Sequence, residues 1–192
     1  MAAVRLSPTP IVNAGAPALE LRSPEPQDAA VMLEFLRRLL HESSEYLNAP
    51  NDRYDSMSED ALAERLVRLA QSDREFYMTA FEGECVVGNL LFSAYDIPVS
   101  LHCGQLAMGV LQSHQGQGIA SAMLSRCIEE ARKLAVWNLR FTVRTYNHRA
   151  VALYERHGFR RVGRLERVAQ IGGAFVDEFL YQGVFGGPSD SD

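Results

Sequence analysis

Residues 108–120 read Met108-Gly109-Val110-Leu111-Gln112-Ser113-His114-Gln115-Gly116-Gln117-Gly118-Ile119-Ala120. The first residues predict a strand. Apolar residues that recur every four positions from Ile119 to Ala135 predict a helix after the turn. The first amides of a helix have no intrahelical acceptor, and the helix dipole favours a negative charge beside them. Gly116 and Gly118 would let an anion approach this backbone without interference from a Cβ atom. The segment therefore predicts a phosphate cradle.

Two common nucleotide motifs do not fit this segment. No Gly-Lys-Ser/Thr follows, which excludes a P-loop, and the three-glycine spacing of a dinucleotide fingerprint is absent. Two glycines before a helix are also typical of an ordinary tight turn. The identification of the site therefore needs a second motif.

The rest of the chain predicts strands and helices in a mixed order. A short strand at 19–22 precedes a helix over about 31–41, a loop at 43–56 and a second helix whose capping box is Ser56 and Glu59. We expect a hairpin of strands 76–81 and 85–92, then a strand at 105–111 with a bulge or a close ligand approach at Gly109. A strand at 139–143, a helix at 147–157 and strands at 161–170 and 174–184 complete a mixed α/β sheet.

A second motif follows one strand after the glycine turn. It reads Asn147-His148-Arg149-Ala150-Val151-Ala152-Leu153-Tyr154-Glu155-Arg156-His157-Gly158-Phe159. The pair Gln115-x-x-Gly118-x-Ala120 and Asn147-x-x-Ala150-x-x-Leu153-Tyr154-x-x-x-Gly158-Phe159 resembles the two acyl-CoA-binding signatures of the GNAT superfamily of N-acetyltransferases. The resemblance covers about 76–185, and before residue 76 only the order of elements agrees.

The resemblance implies a fold and a reaction. The fold is a single GNAT-like domain in which a mixed, mostly antiparallel sheet of about seven strands is flanked by about four helices. The reaction is transfer of an acetyl group from acetyl-CoA to a primary amine by direct attack in a ternary complex, without a metal. A non-catalytic acyl-CoA sensor or interaction module on the same fold is the alternative, and a turnover assay separates the two.

The resemblance also assigns roles to residues. Backbone groups of Met108 and Val110 would pair with the pantetheine arm, and the Val110 amide would polarise the thioester carbonyl. Gln115 would brace the turn, Asn147 would hydrogen-bond the cofactor, and Ala150 and Tyr154 would also belong to the cofactor-binding site. The pyrophosphate would bind the amides of Gly116, Gln117, Gly118, Ile119 and Ala120. Many relatives carry Arg or Lys in the turn and this chain does not, so phosphate neutralisation is expected to rest on backbone amides.

Tyr154 occupies the position from which relatives protonate the departing thiolate. A tyrosine that only fills the core is the alternative interpretation. No residue stands out as the general base, and a water relay or the absence of a dedicated base also fits. The candidates are Glu42, Glu45, His102, Gln105 and His114.

Composition limits the class of protein. The 192 residues are 47% hydrophobic and 22% charged, which suits one globular domain. A net charge of −5 argues against a general nucleic-acid binder. The sequence contains no apolar run of about twenty residues, the length that would predict a membrane span. Three scattered cysteines, Cys85, Cys103 and Cys127, indicate a reducing, cytoplasmic compartment and are each expected in the core.

The chain is expected to divide into three segments. Residues 1–17 are interpreted as a flexible leader, 18–185 as the N-acetyltransferase domain and 186–192 as a disordered tail.

The acceptor amine is not identified by the sequence. A protein N-terminus, a lysine, a polyamine, an amino acid and an antibiotic amine all remain open, and the front half with Tyr46 and Tyr54 would shape the pocket. A homodimer through the terminal strands is a further expectation, although its apolar residues would suit an ordinary core equally well. Those residues are Phe175, Phe179, Leu180 and Tyr181.

Overall fold

The computed structural model describes residues 3–11, 19–47 and 52–187. Its strands are β1 (Thr9–Ile11), β2 (Leu19–Arg22), β3 (Glu75–Glu82), β4 (Cys85–Ala94), β5 (Cys103–Val110), β6 (Asn138–Arg144), β7 (Arg160–Ile171) and β8 (Ala174–Val184). Its α-helices are α1 (Ala29–Ser43), α2 (Glu59–Ala70), α3 (Ile119–Lys133) and α4 (His148–Arg156).

The strands form one sheet in the order β1-β2-β3-β4-β5-β6-β8-β7. The pair β5–β6 is parallel and the other pairs are antiparallel. The predicted mixed and mostly antiparallel sheet flanked by four helices is confirmed. The described residues contain eight strands rather than seven, because β1 adds an edge strand.

The helices cover both faces of the sheet. One core joins α3 and α4 to the sheet through residues such as Met123, Leu153 and Phe141, and the other joins α1 and α2 to it through residues such as Leu36 and Leu62. Strand β3 is buried along its interior because successive side chains point into different cores. No helix of the described residues is long and apolar enough to cross a membrane.

The cap of α2 differs from the predicted one. Ser58 is the N-cap, and its Oγ accepts a hydrogen bond from the Ala61 amide at 3.2 Å. Glu59 is the first residue of the helix, whereas a capping box with Ser56 would have placed it three residues in. Ser56 lies in the preceding turn. The predicted pair is therefore wrong by two residues.

The expected bulge at Gly109 is also wrong. Asn89 pairs with Gly109 in a register that runs without interruption from Gly88 to Ala94 on β4. A Cβ atom on Gly109 would lie 2.5 Å from Leu39 Cδ2, so the close approach is made by a side chain of α1. The register shift in this half of the sheet occurs between β3 and β4.

The start of the chain differs from the predicted flexible leader. Residues 3–11, expected to be a flexible leader, include β1, which pairs with β2, and Leu6, which is 5% exposed. The structure differs from the prediction there because Leu6 and Ile11 pack into the core. Residues 188–192 of the expected tail lie outside the described residues, and the domain boundaries remain predictions.

Strand β7 forms one outer edge of the sheet. It has no buried residue along its length, and it carries the arginines Arg160, Arg161, Arg164 and Arg167. Its register against β8 shifts twice, and Arg167 lies within the second irregularity with a φ of 55°. The Asp177 carboxylate stabilises that irregularity by accepting hydrogen bonds from the Arg167 amide and the Arg164 guanidinium.

Candidate functional site

A gap opens in the middle of the sheet between β5 and β6. The two strands pair only through Cys103 with Asn138 and Gly104 with Leu139. Beyond these residues β5 stays paired with β4 as far as Val110, and β6 stays paired with β8 as far as Arg144. Helices α3 and α4 begin where these two strands end. The gap therefore widens towards the N-termini of both helices.

Backbone groups of β5 face this gap. The Leu111 amide donates to the Val87 carbonyl of β4 at 3.0 Å. Because hydrogen-bonded and non-hydrogen-bonded residues alternate along an antiparallel pair, the backbone groups of Met108 and Val110 point away from β4. The structure thus places both predicted residues at the gap without any bulge at Gly109.

Both glycines of the turn adopt a left-handed conformation. Gly116 has a φ of 81° and Gly118 a φ of 80°, values that L side chains rarely adopt. Gly118 is the N-cap of α3, which has no side-chain cap, so the first amides of the helix remain available to a ligand. The Gln117 side chain donates to the Ser113 carbonyl at 3.3 Å and stabilises the turn.

Gln115 connects the turn to β5. Its Nε2 donates to the Val110 carbonyl at 3.2 Å, and its Oε1 accepts from Arg149 at 2.5 Å. Gln115 therefore links the turn to β5 and α4, and its role in bracing the turn stays a prediction.

Asn147 begins α4. Its Oδ1 accepts a hydrogen bond from the Ala150 amide at 3.1 Å, which is an N-cap. The side-chain oxygen is occupied, and the Nδ2 amide remains the group that could donate to a ligand. The motif pair Asn147 and Ala150 thus has a structural role that the sequence analysis did not assign.

Tyr154 lies on α4, packs against residues of β6 and β8, and is 7% exposed. Its ring packs against Phe141 at 4.2 Å between centroids and lies 6.1 Å from the ring of Tyr181. Burial raises the pKa of the Tyr154 hydroxyl, so the group is protonated at neutral pH. Within the described residues the hydroxyl makes no hydrogen bond. The Tyr154 hydroxyl is therefore a protonated group in apolar surroundings, with no hydrogen-bond acceptor among the described residues.

The acetyltransferase (GNAT) family model matches residues 34–159, from α1 to the end of the second motif. The chain belongs to this family. It is 31% identical over 118 residues, 62% of this chain and 72% of the relative, to the N-alpha-acetyltransferase RimI of Mycobacterium tuberculosis. A GNAT acetyltransferase structure from Streptococcus pneumoniae has a TM-score of 0.81 at 29% identity, covering 88% of this chain and 99% of that one.

A further solved structure shows the same fold with a ligand. The yncA protein of Salmonella typhimurium, solved with its cofactor acetyl-CoA, has a TM-score of 0.75 at 21% identity and covers 91% of this chain and 98% of that one. The family and the 31% identical relative identify this chain as an acetyl-CoA-dependent N-acetyltransferase that acts on an amine.

Two of the base candidates of this acetyltransferase are held in other contacts. Burial alone would raise the pKa of Glu42, but hydrogen bonds from the Gln112 amide and the Arg38 guanidinium outweigh burial and lower it. His114 Nε2 lies 3.3 Å from Glu82 Oε2. A weakly basic Glu42 suits a structural link between α1 and the turn better than proton transfer.

The other three candidates occupy different surroundings. His102 stacks on Trp137 at 4.4 Å near the start of β6, at the closed end of the gap. Gln105 is exposed on β5. Glu45 lies after α1, where its carbonyl accepts from the Tyr146 hydroxyl at 2.6 Å and the rings of Tyr46 and Tyr146 are 5.7 Å apart. Of the five, Glu45 contacts the turn that leads from β6 to α4.

Sequence reasoning missed two features of the site. Arg144, 3% exposed at the end of β6, forms an ion pair with Glu178, 5% exposed on β8. Arg149 crosses from α4 to Gln115. Both contacts join residues 34 positions apart, so local patterns give no signal for them. A basic residue in the first turn of a predicted helix was the only hint of Arg149.

The cysteines are separated in the structure. Cys103 and Cys127 are buried, as predicted, and burial raises the pKa of the Cys127 thiol. Cys85 is exposed at the start of β4, so the expectation of a core position is wrong for it. No group of three or more potential metal ligands occurs among the residues described.

Proposed function

We propose that acetyl-CoA binds in the gap between β5 and β6 and that the chain transfers the acetyl group to a primary amine. The observation that carries the proposal is the divergence of these strands beside a glycine turn with two left-handed residues. The pantetheine arm pairs with Met108 and Val110. The pyrophosphate accepts from the amides of residues 116–120, and Asn147 Nδ2 donates to the cofactor.

The transfer proceeds by direct attack. The amine lone pair forms a bond to the thioester carbon, the oxyanion is stabilised by the Val110 amide, and the C–S bond breaks as the tetrahedral intermediate collapses. The Tyr154 hydroxyl donates its proton to the departing sulfur. A buried phenolate is unfavourable, so Tyr154 recovers, through water or a base, the proton that the nitrogen of the tetrahedral intermediate loses.

The backbone of Val110 offers one acceptor and one donor to the proposed donor site. Its carbonyl accepts from Gln115 Nε2 at 3.2 Å, and the second lone pair of this oxygen can accept from a pantetheine amide. Oxyanion stabilisation is assigned to the Val110 amide, because an N–H group can donate to the oxyanion and a carbonyl cannot.

Calorimetric titration with acetyl-CoA, followed by a free-thiol assay with a panel of amines, tests the proposal. Binding with amine-dependent thiol release supports it. Binding without release on a panel that includes peptide N-termini, lysine and polyamines would favour the non-catalytic sensor, which no observation supports at present. No binding would contradict the donor site.

A protein or peptide N-terminus is the acceptor that we propose to test first. The relative with 31% identity is named an N-alpha-acetyltransferase. A peptide with a free N-terminus and a lysine should release thiol, and the same peptide with a blocked N-terminus should not. Equal release from both would assign the lysine, and release only with free polyamines or amino acids would place the acceptor among small molecules.

A homodimer through the terminal strands remains a prediction. Of its four expected residues, Tyr181 is 0% exposed and packs against Phe141, whereas Phe175 is 60% exposed. Phe175 would thus supply the apolar contact of such a dimer. Replacing Phe175 with Ser should shift the elution volume of a dimer to that of a monomer in size-exclusion chromatography.

A further inference from the structure

Arg149 carries a positive charge to the mouth of the gap. It lies in the first turn of α4, and its Nη1 donates to Gln115 Oε1 at 2.5 Å. Gln115 in turn donates to the carbonyl of Val110, the last residue of β5. The contacts therefore extend from the helix after β6 to the end of β5. They hold a guanidinium beside the turn that contains Gly116 and Gly118.

Arg149 has no acidic partner among the described residues. Its partner is a neutral amide, and it forms no ion pair with any residue between 3 and 187 that the structure describes. Two other basic residues near the turn do have acidic partners. Arg38 reaches Ser113 but pairs with Glu42 at 2.6 Å, and His114 faces Glu82. The guanidinium of Arg149 is thus available to attract an anion.

The first turns of the helices support this interpretation. Helix α2, away from the gap, begins with Glu59 and Asp60, which the helix dipole favours. Helix α4 begins with His148 and Arg149, and α3 has no acidic residue in its first turn. Basic residues at a helix N-terminus are unfavourable to the helix by itself, and a bound anion would reverse that effect.

We propose that Arg149 binds the diphosphate of the acyl-CoA donor and supplies the cation that the glycine turn lacks. The proposal rests on the donor site proposed above and adds a side chain to its backbone amides. On binding, the guanidinium exchanges the Gln115 oxygen for phosphate oxygens. Arginine suits this role because its forked donors bind two oxygens at once.

Calorimetric titrations of CoA and of 3′-dephospho-CoA test the assignment. The variants are Arg149→Gln, Arg149→Lys and the matched control Arg156→Gln, which removes an exposed arginine from the other end of α4. For Arg149→Gln we expect the Kd of both ligands to rise about 10- to 100-fold, the range of a charged hydrogen bond. Arg149→Lys should lie between this variant and the wild type, and Arg156→Gln should match the wild type.

The dependence of binding on salt separates recognition from a structural effect. The Kd of the wild type should rise more steeply with potassium chloride than that of Arg149→Gln, because one charge contact is missing in the variant. An unchanged Kd in Arg149→Gln, or equal salt dependence, would overturn the proposal.

Two other outcomes would also contradict it. Weaker binding of CoA with unchanged binding of 3′-dephospho-CoA would assign Arg149 to the 3′-phosphate instead of the diphosphate. A wild-type protein that binds neither ligand would overturn the donor site as well, and that failure is distinguishable because it does not depend on the variant.

Discussion

Leu39 of α1 packs directly on Gly109 of β5, so that a Cβ atom on Gly109 would lie 2.5 Å from Leu39 Cδ2 and 2.9 Å from Cδ1. Leu39 is 7% exposed and has little room to move. This contact fixes α1 against the strand that borders the donor gap. The glycine is required by packing between elements and not by the conformation of its own strand.

Gly109→Ala should therefore destabilise the fold by about 1–3 kcal/mol, the usual cost of an overpacked core. Denaturant unfolding measures the change. Gly163→Ala on β7 is the matched control, because its added Cβ would have its nearest neighbour at 3.8 Å. Equal stability of the two variants would show that α1 adapts to the extra methyl group.

Ser58→Ala should lower stability by about 0.5–2 kcal/mol, because the Ala61 amide loses its N-cap acceptor. Ser56→Ala, two residues earlier in the turn, should change it by less than about 0.5 kcal/mol. The free energies of unfolding of the two variants can be compared directly. A larger loss from Ser56→Ala would return the cap to the position that the sequence pattern predicted.

Tyr154→Phe should lower kcat by about 10²-fold or more and leave the Kd for CoA unchanged, since only the proton donor is removed. The ring keeps its contact with Phe141. Free-thiol release at saturating acetyl-CoA gives kcat, and calorimetry gives the Kd. A variant with wild-type turnover would remove the role assigned to Tyr154.

Glu178→Gln should destabilise the protein by about 3–5 kcal/mol, because the buried Arg144 guanidinium would lose its counter-charge. The double replacement of Arg144 by Met and Glu178 by Leu should recover much of the loss. Glu64→Gln, which breaks an exposed pair with Arg68, is the control and should cost less than about 1 kcal/mol. A small effect of Glu178→Gln would mean that water reaches the pair.

Stability should decrease at high pH through Tyr77. Burial raises the pKa of Tyr77 from 10.0 to about 12. The contribution of the neutral Tyr77 hydroxyl to the free energy of unfolding is fully present below pH 10, where Tyr77 of the unfolded chain is also protonated. This contribution is lost as the pH rises towards 12, because the unfolded chain releases the proton first. The slope contributed by one group is about 1.4 kcal/mol per pH unit. Tyr77→Phe should make the measured slope between these pH values shallower by that amount.

Much of the fold could be predicted because its signals are local. The four-residue spacing after Gly118 defined α3, and Gly172-Gly173, both with positive φ, marked the turn between β7 and β8. The three-residue β1 has too few positions for an alternating pattern and contains Pro10. It becomes a strand only by pairing with β2, which no local signal reveals.

The candidate site was likewise predictable where its signals are local and not where it depends on contacts between distant residues. The glycine turn and the first residues of the second motif lie beside the gap, because strand ends and helix starts follow each other closely along the chain. The gap itself depends on where β5 and β6 stop pairing. The need for a glycine at position 109 comes from its contact with Leu39, 70 positions earlier in the chain. The contact of Arg149 with Gln115 likewise exists only in the folded chain.

The exposed edge of β7 affects the behaviour of the protein at high concentration. A long strand with unpaired backbone groups can recruit the same strand of another molecule and start aggregation. Here two copies aligned along β7 would bring their arginines together, and the irregularity held by Asp177 interrupts the straight row of donors and acceptors. The edge is thus protected by charge repulsion and by shape, and neutralising these arginines should make the purified protein precipitate more readily.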